Sequence, residues 1–252
     1  AEDGIRDSVA SRGLGDVYKR QFHMWTPDVY EGAPTSITSF FAVVPKVAGL
    51  ALLIKFMFIP FANILIEWQT IMIFISIASM ILGAVAAIVQ KNLKRLLAYS
   101  SIGHIGYALA GVATGSTSGY ASSVIYITIY VVMNIGAFSC LYLMKKDGAY
   151  KEDIEDLSGV SKKHPVLTFS LLLVLFSLAG IPPLAGFFAK FYIFVAVINE
   201  KMYFLAIVGL LATVIAAFYY LRIIKIIYFD PEKERFESKH NLGLKFTLIA
   251  ST

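Results

Sequence analysis

From residue 36 to residue 228 the chain consists largely of apolar runs about 20 residues or longer, divided by short polar segments. The core of a bilayer offers no water to backbone N–H and C=O groups, so such a run must satisfy its own hydrogen bonds, as a helix. About 20 residues at about 1.5 Å rise per residue cross the hydrocarbon. The short alternating segments of a transmembrane barrel are absent. The fold class read from the sequence is therefore all-α, a polytopic transmembrane helix bundle. Composition agrees: 58% of the 252 residues are hydrophobic and 15% charged, too few charges to cover a soluble domain of this size.

Five spans are predicted, at about 36–60, 70–90, 96–114, 120–144 and 203–228. A sixth, 165–198, is too long for one straight crossing, and AGIPPLAG (179–186) stands at its centre. Two prolines remove two backbone donors and clash with the preceding turn, which predicts a discontinuous helix. Irregular backbone at that depth is tolerated where protein or a wet cavity surrounds it, a recurring arrangement at ion-transport sites. Residues 1–21 are polar and mixed in charge, and read as a leader unrelated to the transmembrane domain expected over 22–252. Residues 242–252 begin another apolar run, so the chain reads as truncated at both ends.

The net charge of +5 is concentrated at span ends and is not a nucleic-acid footprint; no nucleic-acid partner is expected. Loops 91–95, 145–163 and 229–241 are rich in Lys and Arg. Loops 61–69, 115–119 and 199–202 carry only Lys201. The two kinds alternate, as sequential crossings require, and the rich side is expected to be cytoplasmic. Within 145–163, Ile154, Leu157 and Val160 at three-residue spacing predict a short surface helix that serves as a connector. The single cysteine, Cys140, lies in a span and reads as a core-packing residue.

Two lysines break the apolar pattern. Lys46 lies about ten residues into its span, too deep to reach an interface comfortably. A charge there costs roughly 2.5–3.5 kcal/mol on insertion scales, and such residues commonly line ion pathways. Lys190 follows the Gly/Pro break by about one turn, where the positive end of a half-helix opposes an ammonium. Both suit a nitrogen that loads and unloads a proton. Lys55, near a span end, reads as a lysine reaching the interface. His104, in SSIGHIGY (100–107), fits two readings: a proton relay between the lysines, or a hydrogen-bonded core histidine. Ser100, Ser101 and Tyr107 around it could hold waters or simply pack helices. His23, Asp28 and Glu31 in FHMWTPDVYEGAP (22–34) read as a structural hairpin, with Trp25 and Tyr30 at an interface. No Asp or Glu lies within a span core; Glu67 is at a span entrance. Nucleotide-binding loops, metal-ligand clusters and nucleophile elbows do not stand out.

Four segments, FHMWTPDVYEGAPT (22–35), FFAVVPKVAG (40–49), NLKRLLAYSSIGHIGY (92–107) and LAGIPPLAGFFAKFYIF (178–194), resemble in order and spacing the antiporter-like, proton-translocating membrane subunits of bacterial NADH–quinone oxidoreductase, respiratory complex I. The resemblance runs across residues 22–252. The threonine of WTPDVYEGAPT and the proline before Lys46 make the chain more similar to the subunit N branch than to its two sister branches. The resemblance implies a fold of about fourteen transmembrane helices with inverted repeats and discontinuous helices. This chain would run from the second half of broken helix seven into helix fourteen.

The resemblance also implies roles. Lys46 would be the central-axis lysine of helix eight, Lys190 the terminal lysine of broken helix twelve, and His104 the helix-ten histidine, all in proton transfer. The family's helix-five glutamate and helix-seven lysine would lie upstream of Phe22. Lys19 lies at the wrong spacing to replace that lysine, so the chain alone would lack a complete proton path. The implied function is that of a translocase subunit, with no redox chemistry and no cofactor on this chain. FMN, iron–sulfur clusters and quinone would sit on other subunits. The implied partners are other membrane subunits of complex I, chiefly neighbouring antiporter-like and small subunits, and the lipid bilayer of the bacterial inner membrane. Two other readings stay open: a subunit of a multisubunit sodium/proton antiporter or membrane-bound hydrogenase, which share the lysine axis, and a structural membrane scaffold whose lysines pair only with upstream or partner carboxylates.

Overall fold

The computed structural model describes residues 25–146, 149–150 and 152–231. A short helix α1 (Thr26–Gly32) leads through Ala33 and Pro34 into the first long helix, α2 (Thr35–Phe58). There follow α3 (Leu65–Ile88), α4 (Leu93–Ala113) and α5 (Thr117–Leu143). A two-residue antiparallel ribbon pairs Lys145–Lys146 with Ala149–Tyr150. The interrupted pair α6 (Pro165–Ala179) and α7 (Ala185–Asn199) precedes α8 (Tyr203–Phe229). Five of these helices, with α3 counted from Ala62, are long and apolar enough to cross a membrane, and the chain is a multi-pass membrane protein.

Local chemistry sets the helix ends. Asn92 caps α4 by accepting from the Arg95 N–H at 3.1 Å, and Ser116 caps α5 by accepting from Gly119 N–H at 3.2 Å. Pro165 opens α6, where its absent N–H would have had no partner. Gly180 closes α6 in the left-handed region, at φ +87°. The discontinuity expected within 165–198 therefore occupies 180–184. The Ser177 hydroxyl stitches its two sides by accepting from Gly186 N–H at 3.0 Å.

α4 is the hub. It packs against α3, α5, α1, α7, α2 and α8, and 89% of its apolar stretch is buried, against 17% for α2. Small residues permit this. A Cβ added to Gly83 of α3 would collide with the Gly103 backbone of α4, and one on Gly106 would come within 2.9 Å of Met80 N. Hydroxyls join the helices across these seams: Ser76 to Gly106 O at 2.7 Å, Ser123 to Ala108 O at 2.8 Å, and Tyr107 to Gly209 O at 2.9 Å. Large apolar side chains such as Phe74, Phe204 and Val214 face outward, as a lipid-contacting surface requires.

Three sequence expectations need correction. The second span begins about five residues early, at Leu65, so Glu67 is helical though exposed. Ile154, Leu157 and Val160 do not ride on a surface helix. They belong to two 3₁₀ turns (Ile154–Leu157 and Val160–Lys162), and all three are buried. Lys94 is not a loop charge, because it lies in the first turn of α4 and is only 2% exposed. Among the described residues, 91–93 and 152–154 lie against each other, and Gly159 lies against the last turn of α8. Leu93 N–H donates to Glu152 O at 2.7 Å, Ile154 N–H to Lys91 O at 2.8 Å, and Gly159 N–H to Ile226 O at 3.2 Å.

Candidate functional site

Pro45 interrupts the donors of α2 one residue before Lys46. The Lys46 side chain turns inward, where its Nζ donates to Tyr30 Oη at 2.8 Å and Tyr130 Oη at 3.3 Å. It also lies 5.3 Å and 5.6 Å from the centroids of the same two rings. Aromatic faces attract a cation and so offset part of its lost hydration. Tyr30 is only 1% exposed. It is therefore a partner of Lys46 rather than the interface residue expected from the sequence.

His104 lies on α4 and is 4% exposed. Its Nδ1 is 2.6 Å from Tyr126 Oη and its Nε2 is 3.3 Å from Tyr220 Oη. Tyr220 in turn contacts the Ser100 hydroxyl. Each hydroxyl can donate or accept, so either ring nitrogen can carry the proton. The Tyr130 ring lies 5.1 Å from the imidazole centroid, so the tyrosine that receives Lys46 also borders His104.

Lys190 is 4% exposed on α7. Its Nζ reaches back across the break and donates to Leu178 O at 3.2 Å and Ala179 O at 3.0 Å. The positive N-terminal end of α7 is only one of the two helix ends at this nitrogen. The structure adds the negative C-terminal end of α6, whose last carbonyls would otherwise lack partners. Lys190 Nζ also sits 5.2 Å from the Tyr107 ring centroid. A small cavity, with room for about one water, is lined by His104, Lys190, Ser100, Tyr107 and Tyr219 among others.

The structure thus gathers Lys46, His104 and Lys190 around α4. Ser100 and Tyr107 join them, while Ser101 bonds the Ala98 carbonyl within its own helix. Lys55 is exposed and apart from them. Asp28 and Glu31 pair with Arg95 at 3.1 Å and 2.7 Å, on the surface. His23 lies outside the described residues. Cys140 is fully buried, in keeping with a packing role. Sequence reasoning missed Tyr126, Tyr130, Tyr219 and Tyr220. The available signals were the four-residue spacing of Tyr126 and Tyr130, which puts both on one helix face, and the adjacent tyrosines of α8.

These features define a helical membrane protein with an internal band of lysine, histidine and tyrosine. The chain belongs to the NADH:quinone oxidoreductase/Mrp antiporter transmembrane family, whose sequence profile matches residues 18–216. It is 67% identical over 231 residues to the NADH-quinone oxidoreductase subunit N of Pelagibacter ubique, covering 92% of this chain and 49% of that protein. The chain spans about half the length of the curated relatives it matches. Among solved structures, a chain of respiratory complex I from Thermus thermophilus with bound aureothin superposes with a TM-score of 0.78 at 31% identity, over 92% of this chain and 51% of that one. A chain of the Mrp complex from a Dietzia species shares the fold, with a TM-score of 0.77 at 21% identity over 83% of this chain and 39% of that one.

Proposed function

We propose that this chain works as part of a subunit N of a proton-translocating NADH–quinone oxidoreductase, with Lys46, His104 and Lys190 as proton-transfer residues. The observation that carries the reading is the convergence of two inward-turned lysine nitrogens on one imidazole within a shared tyrosine band. Lys46 meets Tyr130, which borders His104. Lys190 sits over Tyr107, which lines the same cavity as His104.

A proton leaving Lys46 passes by way of the Tyr30 and Tyr130 hydroxyls, or water beside them, to His104. The imidazole takes it on one nitrogen and releases one from the other towards the Lys190 cavity. Charge on a neighbouring subunit biases these steps: a unit charge about 4 Å away is worth about 4 kcal/mol at an effective dielectric of about 20. Neighbouring antiporter-like and small membrane subunits are the partners, and flavin, iron–sulfur clusters and quinone are held by other subunits. Residues 22–252 form the working unit, with 1–21 outside it. The basic end bearing 91–95, 145–163 and 229–241 faces the cytoplasm.

The 67% identity to a subunit N, against 21% to the Mrp chain, favours this reading over a sodium/proton antiporter. Among the described residues, the polar partners of the Lys46 and Lys190 nitrogens are hydroxyls and carbonyls. A scaffold role would pair the lysines with carboxylates from upstream or from a partner, and the lysine variants below separate the two.

In a full-length subunit within its assembled complex, Lys46→Ala and Lys190→Ala are each expected to lower NADH-driven proton pumping by about tenfold, equivalent to ~1.4 kcal/mol of barrier. Lys55→Ala should leave pumping within about twofold of the parent. Parental pumping in both inward-lysine variants would overturn the assignment.

A further inference from the structure

Lys94 is the one buried cation that the proton path leaves unused among the described residues. It occupies the second position of α4, where the positive helix end opposes it. Two partners hold it there. One is the Glu152 carboxylate, reached from a segment 58 positions further along the chain. The other is the Ala33 carbonyl, to which Nζ donates at 3.1 Å. Ala33 directly follows α1, and its N–H closes that helix by donating to Val29 O at 3.0 Å. The Thr38 hydroxyl also reaches Ala33 O and Pro34 O, at 3.3 Å and 3.1 Å.

The seven-residue α1 carries Tyr30, whose hydroxyl is 2.8 Å from Lys46 Nζ. So short a helix has little stability of its own and takes its position from what grips it. One grip is the surface pairing of Arg95 with Asp28 and Glu31. Their side chains are 35%, 50% and 42% exposed, so salt and water weaken it. A second is the Thr38 hydroxyl, which reaches Tyr30 O at 3.3 Å as well as Ala33 O. A third, the only charged one away from water among the described residues, is Lys94, whose side chain is 3% exposed. Glu152 is itself fixed through its backbone, where its carbonyl accepts from Leu93 N–H at 2.7 Å. The following turn is anchored by buried Ile154 and Leu157, and Ser158 Oγ donates to Pro231 O at 2.6 Å beyond α8.

We propose that Lys94 and Glu152 form a latch that positions α1, and so holds the Tyr30 hydroxyl against the Lys46 nitrogen for proton transfer. The inference rests on the proton-transfer reading of Lys46. Lys94 and Glu152 are positioning residues: they touch neither the Lys46 nitrogen nor the Tyr30 hydroxyl. They act through the Ala33 carbonyl, three residues beyond Tyr30. The latch also ties the basic inter-helix segment to the lysine axis, so a displacement of 152–158 reaches Tyr30 through one ion pair and one carbonyl.

The test is a kinetic double-mutant cycle in membrane vesicles containing the assembled complex with a full-length subunit. Glu152→Gln is expected to slow proton pumping by about fivefold with the amount of assembled complex unchanged, and Tyr30→Phe by a similar factor. The double variant should be no slower than Tyr30→Phe alone, because both changes remove the same contact. Glu152→Asp, which keeps the charge, should recover at least about half of the rate. Losses that multiply in the double variant, or parental pumping in Glu152→Gln, would overturn the latch. If Glu152→Gln does not assemble, Lys94→Met replaces it in the cycle, since it keeps the length of the side chain and removes the donor to Ala33. Failure of both to assemble would assign the pair to folding alone and likewise overturn the proposal. Lys46→Ala separates the two ideas. If it pumps normally, the Lys46 assignment has failed; if it is inactive while Glu152→Gln is parental, only the latch has.

Discussion

At the scale of single residues, the geometry around Lys190 is narrowly fitted. Gly180 sits at φ +87°, and a Cβ there would come 3.1 Å from Lys190 Cδ and 3.2 Å from Nζ. Gly180→Ala is therefore expected to destabilise the protein by about 1–2 kcal/mol through backbone strain, and to lower pumping by displacing the nitrogen. Thermal unfolding and a pumping assay on the same preparation check both. Tyr126→Phe leaves the ring in place but removes the hydroxyl 2.6 Å from His104 Nδ1. Its expected signature is slower pumping at unchanged assembly, by about five- to tenfold, equivalent to roughly 1–1.4 kcal/mol. Lys46, His104 and Lys190 were legible in the sequence because a basic group in an apolar run stands out. The tyrosines were not, since an aromatic residue in a membrane span looks the same whether it packs, anchors or accepts a proton. The burial of Lys94 was equally hidden, because its carboxylate partner arrives from residue 152 by folding alone.

At the scale of elements, the seam between α3 and α4 depends on absent side chains. Gly83 faces the Gly103 backbone and has no space for a methyl group. Gly83→Leu should push the two helices apart, destabilising the protein by about 2 kcal/mol or more. Its measurable result is loss of the folded subunit from membranes, whereas substitution of Gly49, with open space around it, should be tolerated. The five long spans of the described residues, and the break after residue 179, could be read from hydropathy and from the two prolines. Direction could not. The spacing of Ile154, Leu157 and Val160 announced an apolar face, yet only the packed structure shows it turned inward onto the helix ends. Polar Glu67 and Gln69 hide the start of the second span from hydropathy. Gln69 Nε2 donates to Ala113 O at 3.0 Å, and α3 begins before both.

At the scale of the whole molecule, α4 runs through the centre of the described helices, and the segments 91–93 and 152–154 meet beside its first turn. Cysteines placed by Lys162→Cys and Lys201→Cys, both exposed positions, should react with an impermeant maleimide from opposite sides of the membrane. Reaction from the same side would refute the crossing order. Native Cys140, fully buried, should stay unlabelled until the protein is unfolded. The grip of two carbonyls on the Lys190 nitrogen bears on the bundle as a whole. An ammonium has three hydrogens to offer, and a neutral amine has two and a lone pair. Leu178 and Ala179 take two hydrogens in either form. Only the third corner changes, from giver to taker, so charge can leave this end of the bundle while every helix keeps its seat.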